Sequence, residues 1–292
     1  MRALIIVNPS AGKEQAVHYK AQLKQELLKK YDDVDVCETK REGDATTFAR
    51  NCAATTDLVV AMGGDGTLSE VVNGIAPLDK RPALAFIPLG TVNEFARALG
   101  MSLEPTKVIA DILTYIPRQI DLGHIGAHYF TNSVTIGTIP KAMHEVPSDA
   151  KTMFGSFAFF MKGVQTLAKN ENYHFELTLD GKRWQGEAAI VMIGLTSYIA
   201  GLEHFFPNAK PDDGLMHVMI VPELGFSEVL KMAPHLWKGK IMESEHVEMF
   251  TCQELTVDAQ EKLVTNVNGD KGPALPVEIV VKPQFLTVLA PH

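Results

Sequence analysis

The sequence contains few cysteines and no long apolar segment. Cys37, Cys52 and Cys252 are the three cysteines of 292 residues, and their spacing matches no metal-binding pattern. We therefore expect reduced thiols in a cytoplasmic protein. No stretch approaches the roughly 20 apolar residues that a spanning helix needs, and the apolar run at 3–7 is too short for a signal peptide. Any contact with a membrane is predicted to be peripheral.

An excess of positive charge is also missing. The formal net charge is −8 and the pI is near 5.7, which argues against nucleic acid as a partner. A membrane surface is not excluded, because local basic patches can exist on an acidic protein. The ten histidines show no HxxxH or HExxH spacing, so no zinc site is predicted.

The apolar residues follow two different patterns along the chain. Residues 1–124 alternate apolar strands with helices, which predicts a doubly wound parallel sheet. Residues 125–292 contain consecutive strands, and the period-two segment 173–182 includes an Asp-Gly hairpin turn. The predicted fold class is α/β plus all-β, with the parallel-sheet domain followed by an antiparallel β-sandwich-like domain. Edge strands of the second domain offer pairing surfaces for a homodimer.

The same patterns predict element boundaries. Helices are expected at 14–30, 68–74, 92–99, 105–115 and 154–168, the second of them ending at Gly74. Strands are expected at 2–7, 34–37, 58–62 and 83–87 in the first domain. The last two strands of the second domain are expected at 277–281 and 285–290.

The most informative segment is Gly63-Gly64-Asp65-Gly66-Thr67, between an apolar strand and a helix. Glycines let backbone N–H groups crowd around an anion, and the following helix N-terminus adds a partial positive charge. Asp65 cannot attract a phosphate by its own charge, so we expect it to hold a metal, a water or a hydroxyl. This combination predicts phosphoryl transfer from a nucleotide, although a tight turn with a capping Asp would give the same pattern.

Two further glycine-containing loops follow predicted strands. Residues 7–13 follow the first strand, and residues 87–97 follow the strand at 83–87. Because open α/β folds bind ligands at the carboxyl edge of the sheet, we expect the three loops to converge there.

Four motifs, taken together, resemble a known family. Asn8-Pro9-x-x-Gly12-Lys13, Gly63 to Thr67, Pro88-x-Gly90-Thr91-x-Asn93-x-x-Ala96-Arg97 and Asp212-Asp213-Gly214 occur in the order found in the diacylglycerol kinase catalytic-domain superfamily. The sequence is most similar to the soluble bacterial lipid kinases of that superfamily, over essentially its whole length. The Gly-Gly-Asp-Gly turn alone also fits NAD kinases and phosphofructokinases.

The resemblance implies a role for each matching residue, with ATP as the phosphoryl donor and Mg²⁺ as the metal. Asp65 would organise magnesium and water near the transferred group. The implied magnesium ligands are Asp212, Asp213 and Asp270. The implied nucleotide contacts are Asn8, Ser10, Gly12, Lys13, Thr39, Gly63, Gly64, Asp65, Gly66, Thr67, Gly90, Thr91 and Asn93. The segment Gly43-Asp44-Ala45 resembles the family's second nucleotide-contact segment, together with Thr39.

Two positions depart from the family pattern. Active members have Asp-Gly-Glu where this chain has Asn268-Gly269-Asp270. The Asp of that motif is their candidate general base. An amide cannot accept a proton at neutral pH, so Asn268 cannot act as that base. Asp270, acting through a water, and Asp65 are the alternative candidates. His217 stands where many relatives carry an acid.

The sequence leaves three functions open. The leading one is an ATP- and magnesium-dependent lipid kinase that phosphorylates a diacylglycerol-like lipid. Because of Asn268, the second is a catalytically weakened or inactive paralogue that binds nucleotide or lipid. The third is a kinase with a soluble substrate such as NAD. Phe154 to Val164 and His204 to Pro207 are candidate lipid contacts, although a core-facing helix is the favoured explanation of the first segment.

Overall fold

A computed structural model of the chain describes residues 1–12, 16–52, 55–137, 172–199, 205–222 and 247–292. The chain forms two compact units, unit 1 (Met1–Leu122 and Pro283–His292) and unit 2 (Gly123–Lys282). The predicted helix at 154–168 lies outside the described residues. In the described part of the chain, no helix is both long and apolar enough to span a membrane.

The described elements are as follows. The helices are α1 (Ala16–Leu27), α2 (Asp44–Cys52), α3 (Asp65–Ile75), α4 (Glu94–Ala98) and α5 (Pro105–Asp111). The strands are β1 (Arg2–Val7), β2 (Asp33–Glu38), β3 (Leu58–Gly63), β4 (Ala83–Pro88), β5 (Ile116–Ile125), β6 (His128–Phe130), β7 (Ser133–Gly137), β8 (Tyr173–Leu179), β9 (Lys182–Ala188), β10 (Ile190–Gly194), β11 (Met216–Val221), β12 (Glu248–Cys252), β13 (Glu254–Ala259), β14 (Val264–Val267), β15 (Asp270–Ala274) and β16 (Val277–Ala290).

Unit 1 is built on a parallel sheet with the strand order β2-β1-β3-β4-β16. Strands β1, β3 and β4 are almost entirely buried, as their unbroken apolar runs require. Helix α1 packs on α5, and α2 packs on α3. The register pairs Val7 with Met62 and Gly63 with Pro88, so the carboxyl ends of these three strands lie side by side.

Unit 2 contains one complete antiparallel sheet and a set of antiparallel strands that belong to a larger mixed sheet. One has the order β12-β11-β10-β7-β14-β15, and in the other β13 pairs with β16 and β8, which pairs with β9. Both sheets contribute to one buried cluster, the first through residues such as Ile193 and Val218, the second through residues such as Phe175 and Ile279. The predicted fold class, an α/β domain plus an antiparallel β-rich domain, is confirmed.

Three predicted boundaries are wrong. Helix α3 begins at Asp65, not at residue 68, so part of the supposed turn is its first turn. It also continues past Gly74, where a Cβ atom would lie 2.6 Å from Ala49 Cβ and from the Thr46 carbonyl oxygen. Gly74 therefore allows the close approach of α2 and does not end the helix. The two strands expected around Pro283 are a single strand, β16.

The last ten residues group with unit 1 by their contacts. The division predicted at 124/125 places residues 283–292 in the second domain, whereas the structure groups them with unit 1. In unit 1 they supply the end of β16, where Val288 pairs with Leu84 of β4. The predicted domain boundary itself stays a prediction.

Candidate functional site

The centre of the candidate site is the start of helix α3. Gly64 is its N-cap residue and, because it lacks a side chain, provides no side-chain capping hydrogen bond. The first backbone N–H groups of a helix have no partner within the helix, and they carry the positive end of its dipole. Gly66, in this first turn, is exposed. This end of α3 is therefore suited to an anionic ligand.

Glycines bring the three predicted loops together. A Cβ atom on Gly90 would lie 2.8 Å from Gly64 Cα, so the loops after β3 and β4 touch through their backbones. Gly12, with φ of +62°, lies against Leu89. A Cβ atom on Gly12 would lie 3.5 Å from Leu89 Cβ. The structure thus places the loops after β1, β3 and β4 in contact, as expected for the carboxyl edge of this sheet.

Asp65 has one satisfied and one unsatisfied carboxylate oxygen. Its Oδ2 accepts a hydrogen bond of 2.8 Å from the backbone N–H of Asn93. Its Oδ1 is buried and has no hydrogen-bond partner. Burial raises the pKa of Asp65, while the backbone N–H groups of Asn93, Phe95 and Glu94 act in the opposite direction. A buried polar atom without a partner is rare in a folded protein, which makes this oxygen a candidate ligand-binding atom, and Asn266 Nδ2 of unit 2 is also buried without a partner.

Asn93 shapes the loop that holds Asp65. It adopts a left-handed conformation with φ of 54°. Its Oδ1 accepts a hydrogen bond from Gly90 N, and its Nδ2 donates one to Gly90 O, both at 2.9 Å. The side chain is thus occupied within its own loop, and its backbone N–H orients Asp65. Thr91, between them, is exposed and accessible to a ligand, whereas Thr67 is buried.

The remaining nucleotide-contact candidates of unit 1 surround this edge. Asn8 N donates to Met62 O at 3.0 Å, and Asn8 Oδ1 accepts from Ser10 N at 3.1 Å. Thr39 N donates to Val7 O at 2.9 Å, which holds the end of β2 beside the end of β1. Lys13 lies outside the described residues.

Sequence reasoning missed Glu70. Its Oε2 accepts hydrogen bonds from Gly43 N at 3.0 Å and from Ala45 N at 3.1 Å. These are backbone groups of the segment that resembles the second nucleotide-contact segment. The contact joins residues 25 and 27 positions apart, so no local pattern in the sequence could have revealed it.

In unit 2, Asn268 occupies a tight hairpin turn between β14 and β15. Asn268 and Gly269 both have positive φ, at 50° and 95°, as an Asn-Gly hairpin turn requires. Asn268 Oδ1 accepts from Asn132 N at 3.1 Å and from Ser133 N at 3.2 Å. Gly269 N donates to Asn266 Oδ1 at 3.0 Å. Asp270 begins β15 and is exposed.

In the acidic pair of unit 2, Asp212 and Asp213, the second residue makes hydrogen bonds within its own turn. Asp213 accepts hydrogen bonds from Lys210 N at 3.0 Å and Leu215 N at 2.9 Å, and its Oδ2 lies 2.9 Å from His217 Nε2. Asp212 is exposed. Within the described ranges, no group of three or more His, Cys, Asp or Glu side chains could hold a metal ion. The structure therefore does not gather Asp212, Asp213 and Asp270 into a metal centre, and their assignment as ligands stays a prediction.

A small pocket of about 200 Å³ lies next to His217 in unit 2. Its lining is mostly apolar and includes Phe206 and Pro207, from the segment that the sequence suggested as a lipid contact. The complete lining is Phe206, Pro207, Asn208, His217, Met249, Phe250 and Thr251. The other suggested lipid contact, Phe154 to Val164, lies outside the described residues.

Comparison with known proteins divides the chain into two parts. Residues 2–125 match the diacylglycerol kinase catalytic domain, and residues 132–290 match the YegS C-terminal NAD kinase beta sandwich-like domain. The chain is 35% identical to a diacylglycerol kinase from Bacillus subtilis, over 99% of this chain and 96% of that protein. It is 33% identical to one from Staphylococcus saprophyticus, over 100% of this chain and 96% of that protein. A crystal structure of a diacylglycerol kinase from Bacillus anthracis superimposes with a TM-score of 0.85 at 26% identity, covering 99% of this chain and 96% of that one.

Proposed function

From the premise that the chain belongs to the diacylglycerol kinase catalytic-domain family, we propose that it is an ATP- and magnesium-dependent lipid kinase. It transfers the γ-phosphoryl group of ATP to the hydroxyl group of a diacylglycerol-like lipid. It works in the cytoplasm and meets its substrate at the membrane surface as a peripheral protein.

The observation that carries this proposal is the unsatisfied Oδ1 of Asp65 at the start of α3. The backbone fit supports a nucleotide, because Gly64 and Gly90 let their two loops touch, and the Cβ position of Gly66 in the first turn of α3 is open. Phosphate oxygens can accept from the N–H groups of the first turn of α3. Thr91, which is exposed on the neighbouring loop, can donate its hydroxyl to a further phosphate oxygen.

The donor set around Asp65 also fits Mg²⁺. This ion prefers oxygen ligands, keeps several waters and is often bound by one or two carboxylates together with phosphates. Asp65 Oδ1 supplies one such ligand, and Asn93 N fixes the carboxylate through Oδ2. When bound, magnesium would neutralise negative charge on the transferred phosphoryl group.

Asn268 favours a second candidate function, a weakened or inactive paralogue that binds nucleotide or lipid. Asn268 Oδ1 already accepts two backbone N–H groups. A neutral amide has no site that could take the proton of the lipid hydroxyl. General-base assistance contributes about 10²–10⁴-fold to a rate, so its loss slows a kinase without necessarily abolishing it. Phosphoryl transfer depends mostly on positioning and electrostatics.

The decisive experiment is transfer of labelled γ-phosphate from ATP to a panel of lipids in mixed micelles. The panel contains diacylglycerol, phosphatidylglycerol, a sphingoid base and a prenol, and NAD without lipid is tested separately. Wild type is compared with Asp65→Asn and Asn268→Asp. Label in one lipid that disappears with Asp65→Asn supports the kinase and identifies its substrate.

Two other results would select between the alternatives. No label from wild type, with activity gained in Asn268→Asp and ATP binding retained, favours the inactive paralogue. Phosphorylation of NAD in the absence of lipid would overturn the lipid-kinase proposal. The control substitution is Asp79→Asn, which makes the same chemical change at an exposed carboxylate of unit 1.

A further inference from the structure

Glu70 connects the helix of the candidate site to the loop after β2. It lies on α3, five residues after Asp65, and is partly buried. Its carboxylate accepts hydrogen bonds from Gly43 N and Ala45 N, at the start of α2. A negative charge at a helix N-terminus is favourable, and hydrogen bonds to a charged group are stronger than neutral ones.

The loop that Glu70 holds is otherwise organised by its own residues. Asp44 Oδ2 accepts from Lys40 N at 2.9 Å and from Arg41 N at 3.1 Å. Thr39 N is held by Val7 O of β1. These contacts give the loop its shape and fix its beginning, whereas Glu70 fixes its far end to α3.

Glu70 itself has little freedom to move. Thr46 Oγ1 donates to the Glu70 carbonyl oxygen at 2.9 Å. One turn further along α3, Gly74 allows α2 to approach so closely that any Cβ would clash with Thr46 O. These two contacts hold the start of α2 against α3 through the backbone of α3, and the Glu70 carboxylate makes a separate link to Gly43 and Ala45.

We propose that Glu70 is a positioning residue that sets the spacing between the loop at 39–45 and the start of α3. The inference rests on the proposed function, because it matters only if one nucleotide contacts both segments. A ligand that touches both loses affinity when their spacing is no longer fixed, since binding must then order the loop. The effect is on nucleotide affinity and not on the chemistry at Asp65.

The test compares Glu70→Ala, Glu70→Gln and Thr46→Val by isothermal titration calorimetry with MgATP. Thr46→Val is the matched control, because it removes a hydrogen bond between the same two helices but leaves the carboxylate on Gly43 and Ala45. Glu70→Gln keeps an oxygen acceptor and nearly the same volume, so it stays informative if Glu70→Ala folds poorly. Thermal melting of each variant records the purely structural effect.

We expect Glu70→Ala to weaken MgATP binding by about tenfold and Glu70→Gln by about threefold. Thr46→Val should lower the melting temperature and keep the Kd within about twofold of wild type. In turnover assays, the Glu70 variants should raise KM for ATP more than they lower kcat.

Two results would overturn the inference, and they are distinguishable from failure of the proposed function. Wild-type affinity in both Glu70 variants would show that the contact has no influence on the nucleotide. Equal losses of affinity in Glu70→Ala and Thr46→Val would show a general structural effect. If wild type itself binds no MgATP, the proposed function fails, and the inference fails with it.

Discussion

The loops around Asp65 in unit 1 and Asn268 in unit 2 differ in how their polar atoms are satisfied. Asp65 has a buried oxygen with no partner and a pKa that burial raises. Asn268 accepts two backbone N–H groups with its side-chain oxygen, inside a hairpin turn that the Asn-Gly pair favours. Both residues stand at motif positions. Of the two, only Asp65 has a buried side-chain oxygen that accepts no hydrogen bond.

The acidic turn of unit 2 resembles the Asn268 turn in this respect. Asp213 is occupied by two backbone N–H groups and by His217. Polar groups that satisfy one another stabilise a local structure, whereas an unsatisfied buried group costs free energy that a ligand can recover. The comparison separates the Asn268 and Asp213 side chains from Asp65, although Asn266 Nδ2, beside the Asn268 turn, is also buried without a partner.

The largest expected effect is the loss of activity in Asp65→Asn. The substitution removes the charge but keeps the side-chain size, and we expect kcat/KM for lipid phosphorylation to fall by about 10³-fold. The labelled-phosphate assay measures this loss, with Asp79→Asn as the matched control. Full activity in Asp65→Asn would contradict the assignment of this oxygen to the reaction.

The next effect is a gain of activity in Asn268→Asp. An aspartate can accept the same two backbone N–H groups, and Asp tolerates the left-handed conformation, so the turn should be preserved. We expect kcat to rise by about 10²-fold through general-base assistance. An unchanged kcat in a folded variant would mean that this turn contributes no proton acceptor to the reaction.

A smaller effect is expected from Gly90→Ala, which tests the contact between the two glycine loops. The added methyl group would lie 2.7 Å from Asn93 Oδ1 and 2.8 Å from Gly64 Cα. We expect a loss of about 1–3 kcal/mol in the free energy of unfolding and a weaker affinity for MgATP. Urea denaturation and calorimetry measure these changes. Gly66→Ala is the stability control, because its Cβ would meet no atom within 4 Å.

Asp213→Asn tests whether the acidic turn is structural. Since Asp213 accepts two backbone N–H groups and contacts His217, we expect a loss of about 1–2 kcal/mol in the free energy of unfolding. The magnesium concentration that gives half-maximal activity should stay close to that of wild type. A higher magnesium requirement with unchanged stability would instead support Asp213 as a metal ligand.

The sequence predicted well what short segments determine. The buried runs of β1, β3 and β4 and the glycines that follow them indicated parallel strands and converging loops, and the structure has both, whereas ligand binding at this edge stays a prediction. The Asp180-Gly181 pair indicated a hairpin turn and has the positive φ values, 47° and 81°, that such a turn needs. These features depend on residues that are neighbours in the chain.

What the sequence could not predict depends on contacts between distant residues. Glu70 reaches back to Gly43, and Asn268 is held by backbone groups 135 and 136 positions earlier. The sequence predicts a helix end at Gly74, but in the structure this glycine allows the close approach of α2. Pro283 predicts a break between two strands, but strand β16 continues through it. Next to it, Gln284 N donates a hydrogen bond of 2.7 Å to Asp121 Oδ1.

The smallest expected effect is a pH-dependent gain in thermal stability from Asp65→Asn. Burial raises the pKa of Asp65 above the ordinary aspartate value of 3.8, so the folded state favours the neutral acid. Below pH 3.8 the carboxyl is neutral in both states, and wild type and variant should melt at similar temperatures. As the pH rises through the folded-state pKa, the ionised carboxylate destabilises the wild type, and we expect the variant to melt at a higher temperature at neutral pH. Scanning calorimetry at a series of pH values measures the difference, and Asp79→Asn should show none. A wild type that is more stable than Asp65→Asn at neutral pH would mean that the carboxylate is satisfied in the folded protein, which would remove the contrast with Asn268.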